Sequence, residues 1–513
     1  MHSSRVSPVL RSTSLLCGLT TLAACAVGPD FKRPVSPPNA GYMPQTLPGA
    51  GTGPYTESLQ LGQDISADWW TMFKSPALND LVKRAFAHNP TIEAAQETLR
   101  GSKFDVYAQL GYFAPTVSAG YSFERQQLAG NEGGNAPGVQ GNGTVISTAQ
   151  TPGQPPYNQP VTYNLHTAQV SVGYTPDVFG SNLRSVEALR ATSRYQRFQL
   201  EAAYITLASN VVAAALQEAL LRAEIAAETS VIAENTEGLT ILRHQSDVGY
   251  AMGIDVAAEE AALAQAQQTL PPLEKQLAQT RDLIRELAGN LPNQDVPDNF
   301  TLESLNLPQA LPVSLPSKLI EQRPDIRAAE EQWHQASAQV GVAVAARLPV
   351  FNITAADGGV ASVFDRMFSH GGPFWNVSLA ATQPIFDGFT LYNKERSARA
   401  ALRVAAAQYR GTVLTAFQNV ADTLHAVAAD AHAMQAAAAA EKAAKVTLDI
   451  TGEQARTGFV NYLTLLSAQQ AYQQALLTRV QAQAMQLGDA ASLYQALGGG
   501  WWNRAGPVLA GAN

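Results

Sequence analysis

The sequence predicts an α+β membrane protein built on a tandem internal repeat, with four β-strands and long coiled-coil helices in each chain. Three observations predict it. Matching segments recur in the same order a little over 200 residues apart, short strands alternate apolar and polar residues, and two long stretches contain no proline.

The repeat is the first of these. Asn89-Pro90-Thr91-Ile92-Glu93-Ala94-Ala95 has its counterpart in Arg323-Pro324-Asp325-Ile326-Arg327-Ala328-Ala329, and Pro115 matches Pro349 at the same offset of 234. Pro176-Asp177-Val178-Phe179-Gly180 resembles Pro384-Ile385-Phe386-Asp387-Gly388, and Asp247-Val248-Gly249-Tyr250 resembles Arg456-Thr457-Gly458-Phe459, at offsets of 208 to 209. Order and near-constant spacing, more than identity, mark a duplication. The expected organisation is a signal peptide at 1–24, an extended segment at 25–74, repeat 1 at 75–290, a linker at 291–316, repeat 2 at 317–500 and a tail at 501–513.

Each repeat opens with a helical stretch, about 76–110 and 317–346, and continues into a strand pair. The predicted strands are about 113–125 and 165–175 in repeat 1, and 348–357 and 374–386 in repeat 2. Val117, Ala119, Tyr121 and Phe123 alternate with Thr116, Ser118, Ser122 and Glu124; Trp375, Val377 and Leu379 alternate with Asn376 and Ser378. A two-faced strand of this length crosses a bilayer when tilted. Between the first two strands, Ala129 to Asn164 is rich in Gly, Asn, Gln and Pro and reads as a long surface loop.

From Gly180 to Gly249 and from Gly388 to Gly458 no proline occurs. A continuous helix over either stretch is on the order of 100 Å long. Leu402, Ala406, Tyr409, Val413, Ala416, Val420, Leu424, Val427, Ala431 and Met434 recur in steps of three and four, a heptad seam with one extra step of four. Each long helix ends at a Gly turn, and a second Ala/Gln-rich helix returns from it. Four strands cannot close a membrane barrel, and an open sheet edge is not tolerated in lipid, so the chain must assemble with copies of itself.

The N-terminus reads as a secretory signal. Arg5 and Arg11 precede an apolar stretch, which leads into Leu22-Ala23-Ala24-Cys25. That ending resembles the bacterial lipobox, in which the Cys25 thiol is acylated and the chain is cut just before it. Removal of residues 1–24 leaves 32 basic residues against 42 acidic ones, a net charge of −10. An acidic chain without a basic cluster argues against nucleic acid as a partner. Cys17 leaves with the signal, so no disulfide is expected.

Further residues carry a resemblance. Gly28-Pro29-Asp30-Phe31-Lys32-Arg33-Pro34 follows Cys25, and Asp68-Trp69-Trp70 precedes repeat 1. Arg323-Pro324-Asp325-Ile326-Arg327-Ala328-Ala329-Glu330 opens repeat 2; Gly458, Tyr462-Leu463, Leu466 and Ala468-Gln469 mark its turn. Over essentially the whole mature chain, this resembles the TolC-like outer-membrane factors, in the lipoprotein branch that serves tripartite RND-type efflux systems. The resemblance implies a homotrimer with a twelve-stranded barrel in the outer membrane, continued by an α-helical tunnel through the periplasm. It implies a membrane-fusion adaptor and an inner-membrane transporter of RND type as partners, and passive conduction of drugs or other toxic solutes without catalysis.

The same resemblance places the adaptor-docking tips at Gly249, Tyr250, Arg456, Gly458 and Phe459. It places an aperture gate at Leu463, Thr464 and Ser467, where the family's pattern has carboxylates at the latter two positions. Asp255 and Glu259 stand at similar positions of the first tip and are candidate cation-attracting carboxylates. No cofactor is expected beyond the lipid on Cys25. His425 and His432 lie seven apart, but no further ligands complete a metal set. No phosphate loop, nucleophile elbow or His-Glu-x-x-His motif occurs. The competing reading is a lipid-anchored periplasmic coiled-coil scaffold whose strands never enter lipid.

Overall fold

The computed structural model describes residues 26–35, 41–42, 58–128, 161–306 and 310–504. Cys25, with the signal before it, and residues 129–160 of the long loop lie outside the described residues. In chain order the helices are α1 (Pro76–His88), α2 (Pro90–Gly111), α3 (Ser181–Asp247), α4 (Gly253–Leu287), α5 (Pro316–Gln322), α6 (Pro324–Ala345), α7 (Thr390–Arg456) and α8 (Tyr462–Ala496). The strands are β1 (Ser58–Leu61), β2 (Thr116–Leu128), β3 (Val161–Tyr174), β4 (Ala310–Val313), β5 (Val350–Ala361) and β6 (Pro373–Thr382). The chain divides into two compact units. One holds residues up to Phe31 with Lys103–Ala191 and His334–Val404, the other Lys32–Ser102, Thr192–Trp333 and Ala405 onward.

The first unit is built on an antiparallel sheet in the order β2-β3-β5-β6. Its register puts Val117, Tyr121 and Phe123 on the same face as Val170, Val172, Trp375, Val377 and Leu379. All are exposed, Trp375 by 77 % and Leu379 by 72 %. The opposite face carries Ser118, Ser122, Ser171, Thr354 and Ser378. Each repeat then turns from strand to long helix through an aspartate. Asp177 accepts hydrogen bonds from the Asn182 and Leu183 amides, and Asp387 accepts one from the Leu391 amide, so each carboxylate satisfies orphan donors at a helix start.

A strap leads into this unit from the N-terminus. The Val27 amide donates to the Phe179 carbonyl at 3.2 Å, and Arg184 donates to the Val27 carbonyl at 3.1 Å and to Asp30 at 2.7 Å. Phe31 stacks on His334 with ring centroids 4.4 Å apart, and His334 meets Glu187 at 2.9 Å. Gly28 crosses Gly341 of α6 so closely that a Cβ on Gly28 would stand 2.4 Å from the Gly341 Cα.

The second unit holds the main core. Trp69 stacks on Tyr494 at 5.7 Å, and Phe73, Leu78, Leu200, Val211, Ile284, Leu311, Leu424 and Leu493 are buried around them. Along α7, Tyr409, Ala416, Val420, Leu424, Val427, Ala431 and Met434 of the heptad seam read from the sequence are buried, and its Leu402, Ala406 and Val413 are half-buried. Buried Glu218 accepts from Arg222 at 2.8 Å and from Arg281 at 3.1 Å, and Arg281 continues to Asp295 and the Val296 carbonyl. This network fixes the start of the 291–316 segment.

Three features differ from the sequence expectation. The stretches at 76–110 and 317–346 are each two helices, divided at Asn89 and Arg323. Pro90 and Pro324 lack the amide that a continuous helix needs, and each restrains the residue before it to an extended backbone. At the second break Arg323 forks onto Asp325 and donates to the Ala496 carbonyl at 2.8 Å, so the Arg-Pro-Asp-Ile-Arg motif clasps the end of α8. The 291–316 segment also contains β4, paired in parallel with β1. Finally, β3 starts at Val161, within the stretch read as loop.

Candidate functional site

The two helical turns are built alike. Gly249 and Gly458 sit at φ +83° and +78°. At the first, the Gly249 amide donates to the Ser246 carbonyl and the Tyr250 amide to the Gln245 carbonyl, at 3.0 and 2.7 Å. At the second, Gly458 donates to Ala455 and Phe459 to Gln454, at 3.1 and 2.8 Å. These paired bonds close the last carbonyls of α3 and α7 in a Schellman motif, which needs a left-handed residue and hence glycine. A Cβ would meet nothing within 4 Å at either glycine, so within the protomer the backbone angle alone selects them.

The residue after each glycine is aromatic and turned out, Tyr250 87 % and Phe459 85 % exposed. In this motif that position commonly packs back on its own helix. Here neither ring does, and two copies of an uncovered aromatic present apolar surface at equivalent places. Arg456, beside the second turn, pairs with Glu453 one turn earlier on the same exposed surface.

Beyond the second turn, Asn461 caps α8 by accepting from the Thr464 amide at 3.0 Å, and it accepts the Thr464 hydroxyl at 2.7 Å. Ser467 returns its hydroxyl to the Leu463 carbonyl at 2.9 Å. Both hydroxyls are spent on their own helix, leaving Leu463, 39 % exposed, as the apolar group of the predicted gate trio.

Asp255 and Glu259 do not form an open ring of carboxylates: they are 8 % and 1 % exposed. Asp255 accepts from the Met252 amide at 3.3 Å and thereby closes the first turn of α4. Glu259 lies against α3 and α8 beside Gly238 and Tyr462. Burial pushes its carboxyl above the usual carboxylate range, and the Tyr462 hydroxyl opposes that shift. Tyr462 is pushed up in turn by burial and by the neighbouring carboxyl. Gly238 and Tyr462 were not singled out as functional by the sequence; an isolated glycine inside a long proline-free helix was the available signal.

A sheet with one exposed apolar face, joined to helices of 67 residues that end in matched turns, defines a subunit of a membrane-inserted channel. The outer membrane efflux protein family matches residues 81–290 and 315–499, and the chain belongs to that family. It is accordingly an outer-membrane efflux protein. Among curated relatives, the toluene efflux pump outer membrane protein TtgF of Pseudomonas putida is 27 % identical over 503 residues, spanning 96 % of this chain and 97 % of the relative. The pyoverdine export outer membrane protein OpmQ of Pseudomonas putida is 27 % identical over 469 residues, spanning 91 % and 94 %. Among solved structures, the outer-membrane channel OprN shares the fold with a TM-score of 0.80 at 22 % identity, covering 93 % of this chain and 100 % of that one. The open-state MtrE channel of Neisseria gonorrhoeae gives 0.77 at 22 % identity, covering 94 % and 100 %.

Proposed function

We propose that three copies of the chain close a twelve-stranded barrel and act as the passive outer-membrane duct of a tripartite pump. The observation that carries this is the sheet. Val117, Tyr121, Phe123, Trp375, Val377 and Leu379 make one of its two faces largely apolar, and among the described residues β2 and β6 each pair on one side only. Edges of that kind are excluded from lipid unless another copy covers them. Relatives named for toluene efflux and for pyoverdine export support drugs and other small toxic solutes as cargo. The matched aromatic turns at Tyr250 and Phe459 suit an adaptor hairpin, through which an RND-type inner-membrane transporter supplies the energy. Acylation of Cys25 adds a second attachment to the membrane, and the chain needs no other cofactor and catalyses no reaction.

Leu463 serves as the constriction. The test is conductance of the purified protein in planar bilayers. Wild-type protein gives a low leak, and Leu463→Ser raises it several-fold. Absence of conductance from both forms refutes the duct and favours a scaffold.

A further inference from the structure

The face of the sheet that carries Val117 and Val377 changes character toward one end. Along β2 it continues through Tyr121 and Phe123 to Arg125, and β3 adds His166, because the register pairs Tyr121 with Ala168, Phe123 with His166 and Arg125 with Asn164. This is the end away from the helices, since α2, α3, α6 and α7 all join the strands at the other one. The imidazole of His166 is walled by rings, with centroids 4.8 Å away at Phe123, 6.0 Å at Phe364 and 6.2 Å at Tyr121. Phe364 comes from the turn between β5 and β6, which folds over the same face at Gly359. A Cβ on Gly359 would overlap the Met367 carbonyl, so the glycine lets that turn lie against its own strand.

Aromatic rings alone at this level would be the ordinary girdle of a membrane barrel. The basic groups among them are not. The Tyr121 Oη and the His166 Nδ1 share a hydrogen bond at 2.8 Å. With the phenol as donor, the imidazole carries its hydrogen on Nε2, which meets no other group among the described residues. Arg125 lies diagonally across the strand pair from His166, with about 7–8 Å between the backbones. Arg366 closes the turn Phe364–Arg366. Both arginines are exposed, and among the described residues neither meets a carboxylate. Of the acids nearby, Glu124 points to the other face and Asp365 is exposed beside Arg366. Asp357 shares the face but stands four residues along β5 from Ala361, the partner of His166, which is roughly 14 Å of strand. The cluster therefore keeps an excess of positive charge on a surface turned to lipid, where a cationic group calls for an anionic partner.

We propose that Arg125, His166 and Arg366, set among the rings of Tyr121, Phe123 and Phe364, form a seat for a phosphate-bearing lipid of the outer leaflet. The inference rests on the reading of this face as lipid-facing and of the long helices as periplasmic, which puts the cluster at the exterior rim. A phosphate offers acceptor oxygens only. The two guanidinium forks match them, and the His166 Nε2–H supplies a further donor from a ring held in place by its neighbours. The rings cover the part of the acyl chains nearest the headgroup, so phosphate and chain are recognised together. Neither a bare aromatic girdle nor a pair of surface arginines would do both.

The test is native mass spectrometry of the assembled full-length protein in a neutral detergent, titrated with lipid A or with the same lipid after enzymatic removal of its phosphates. Wild-type protein should retain lipid A about tenfold more tightly than the dephosphorylated form. The double variant Arg125→Gln, Arg366→Gln should lose that preference, and His166→Phe, which keeps a ring in place, should reduce it several-fold. Val170→Ala, on the same face outside the cluster, should leave it unchanged. Heat-modifiable gel migration shows that each variant still forms its barrel. Equal retention of the two lipids by wild-type protein, a reading that needs no variant, overturns the seat, and so does a preference that survives in the double variant. Displacement of lipid A by an equal concentration of inorganic phosphate overturns the lipid as the ligand. A wild-type protein without heat-modifiable migration overturns the lipid-facing reading beneath the proposal.

Discussion

Gly28→Ala examines the strap that follows Cys25. Gly28 has φ +102°, and its added Cβ would stand 2.4 Å from the Gly341 Cα and 3.0 Å from the Gly341 N. Both obstructing atoms are backbone of α6, so no rotamer change relieves them. Keeping the crossing would require a backbone angle that costs about 1–3 kcal/mol for a residue with a side chain, plus a shift of the helix. Releasing the strap forfeits the Arg184 bond to the Val27 carbonyl, about 1.5 kcal/mol, and the Val27 amide bond to Phe179, about 1 kcal/mol. The Phe31–His334 stack adds about 0.5–1 kcal/mol. The Arg184–Asp30 pair adds little, since the Asp30 carboxyl is 85 % exposed. Release therefore costs about 3 kcal/mol, and Gly28→Ala favours it. Tryptic cleavage after Lys32 should accelerate about a hundredfold where it follows the open population. Gly341→Ala should act alike from the other side, because its Cβ would stand 2.9 Å from the Val27 carbonyl. Gly458→Ala, with nothing within 4 Å, should lose only about 1 kcal/mol and leave that cleavage unchanged. Wild-type cleavage rates in both strap variants would refute the reasoning.

On the apolar face of the sheet, Val377→Arg should weaken membrane insertion by about 2–4 kcal/mol if it lies near mid-bilayer, while Ser378→Arg on the other face is tolerated; heat-modifiable gel migration reads both. In the helical seam, Leu424→Ala should lower unfolding stability by about 2–5 kcal/mol, measured by chemical denaturation, because the side chain is fully buried. Burial alone would raise the Glu187 carboxyl, but hydrogen bonds from Arg184 and His334 outweigh it and hold the carboxyl below its usual range. A depressed carboxylate contributes stability above its unfolded pKa that is lost as pH falls through the folded one. Protection of the Val27 amide from hydrogen exchange, corrected for intrinsic rates, should therefore fall below about pH 4 in wild type and lose that step in Glu187→Gln.

What could be read in the sequence is what repeats along it. The seam from Tyr409 to Met434 announces itself because a buried stripe must recur every three or four residues. The sheet announces itself because Val117 to Phe123 and Trp375 to Leu379 are apolar at every second residue. The β1–β4 pair gives no such sign: each strand has four residues, and Ser58 finds its partner only at Ala310. Glu259 failed differently. Its spacing from the Gly249 turn fits a carboxylate at an aperture as well as one enclosed between helices, and only Tyr462, distant in sequence, decides between them.

The duplication sharpens this distinction. At the offset of 209 that aligns the turns, Gly249 and Tyr250 meet Gly458 and Phe459, so the features that close the helices and present the aromatics occur twice. The cluster of Gly238, Glu259 and Tyr462 does not. Gly238 aligns with Thr447, Glu259 with Ala468 and Tyr462 with Gly253, so no second cluster of this kind is encoded at the equivalent places. A contact made once, by three residues whose counterparts could not make it, distinguishes the two pairs from one another.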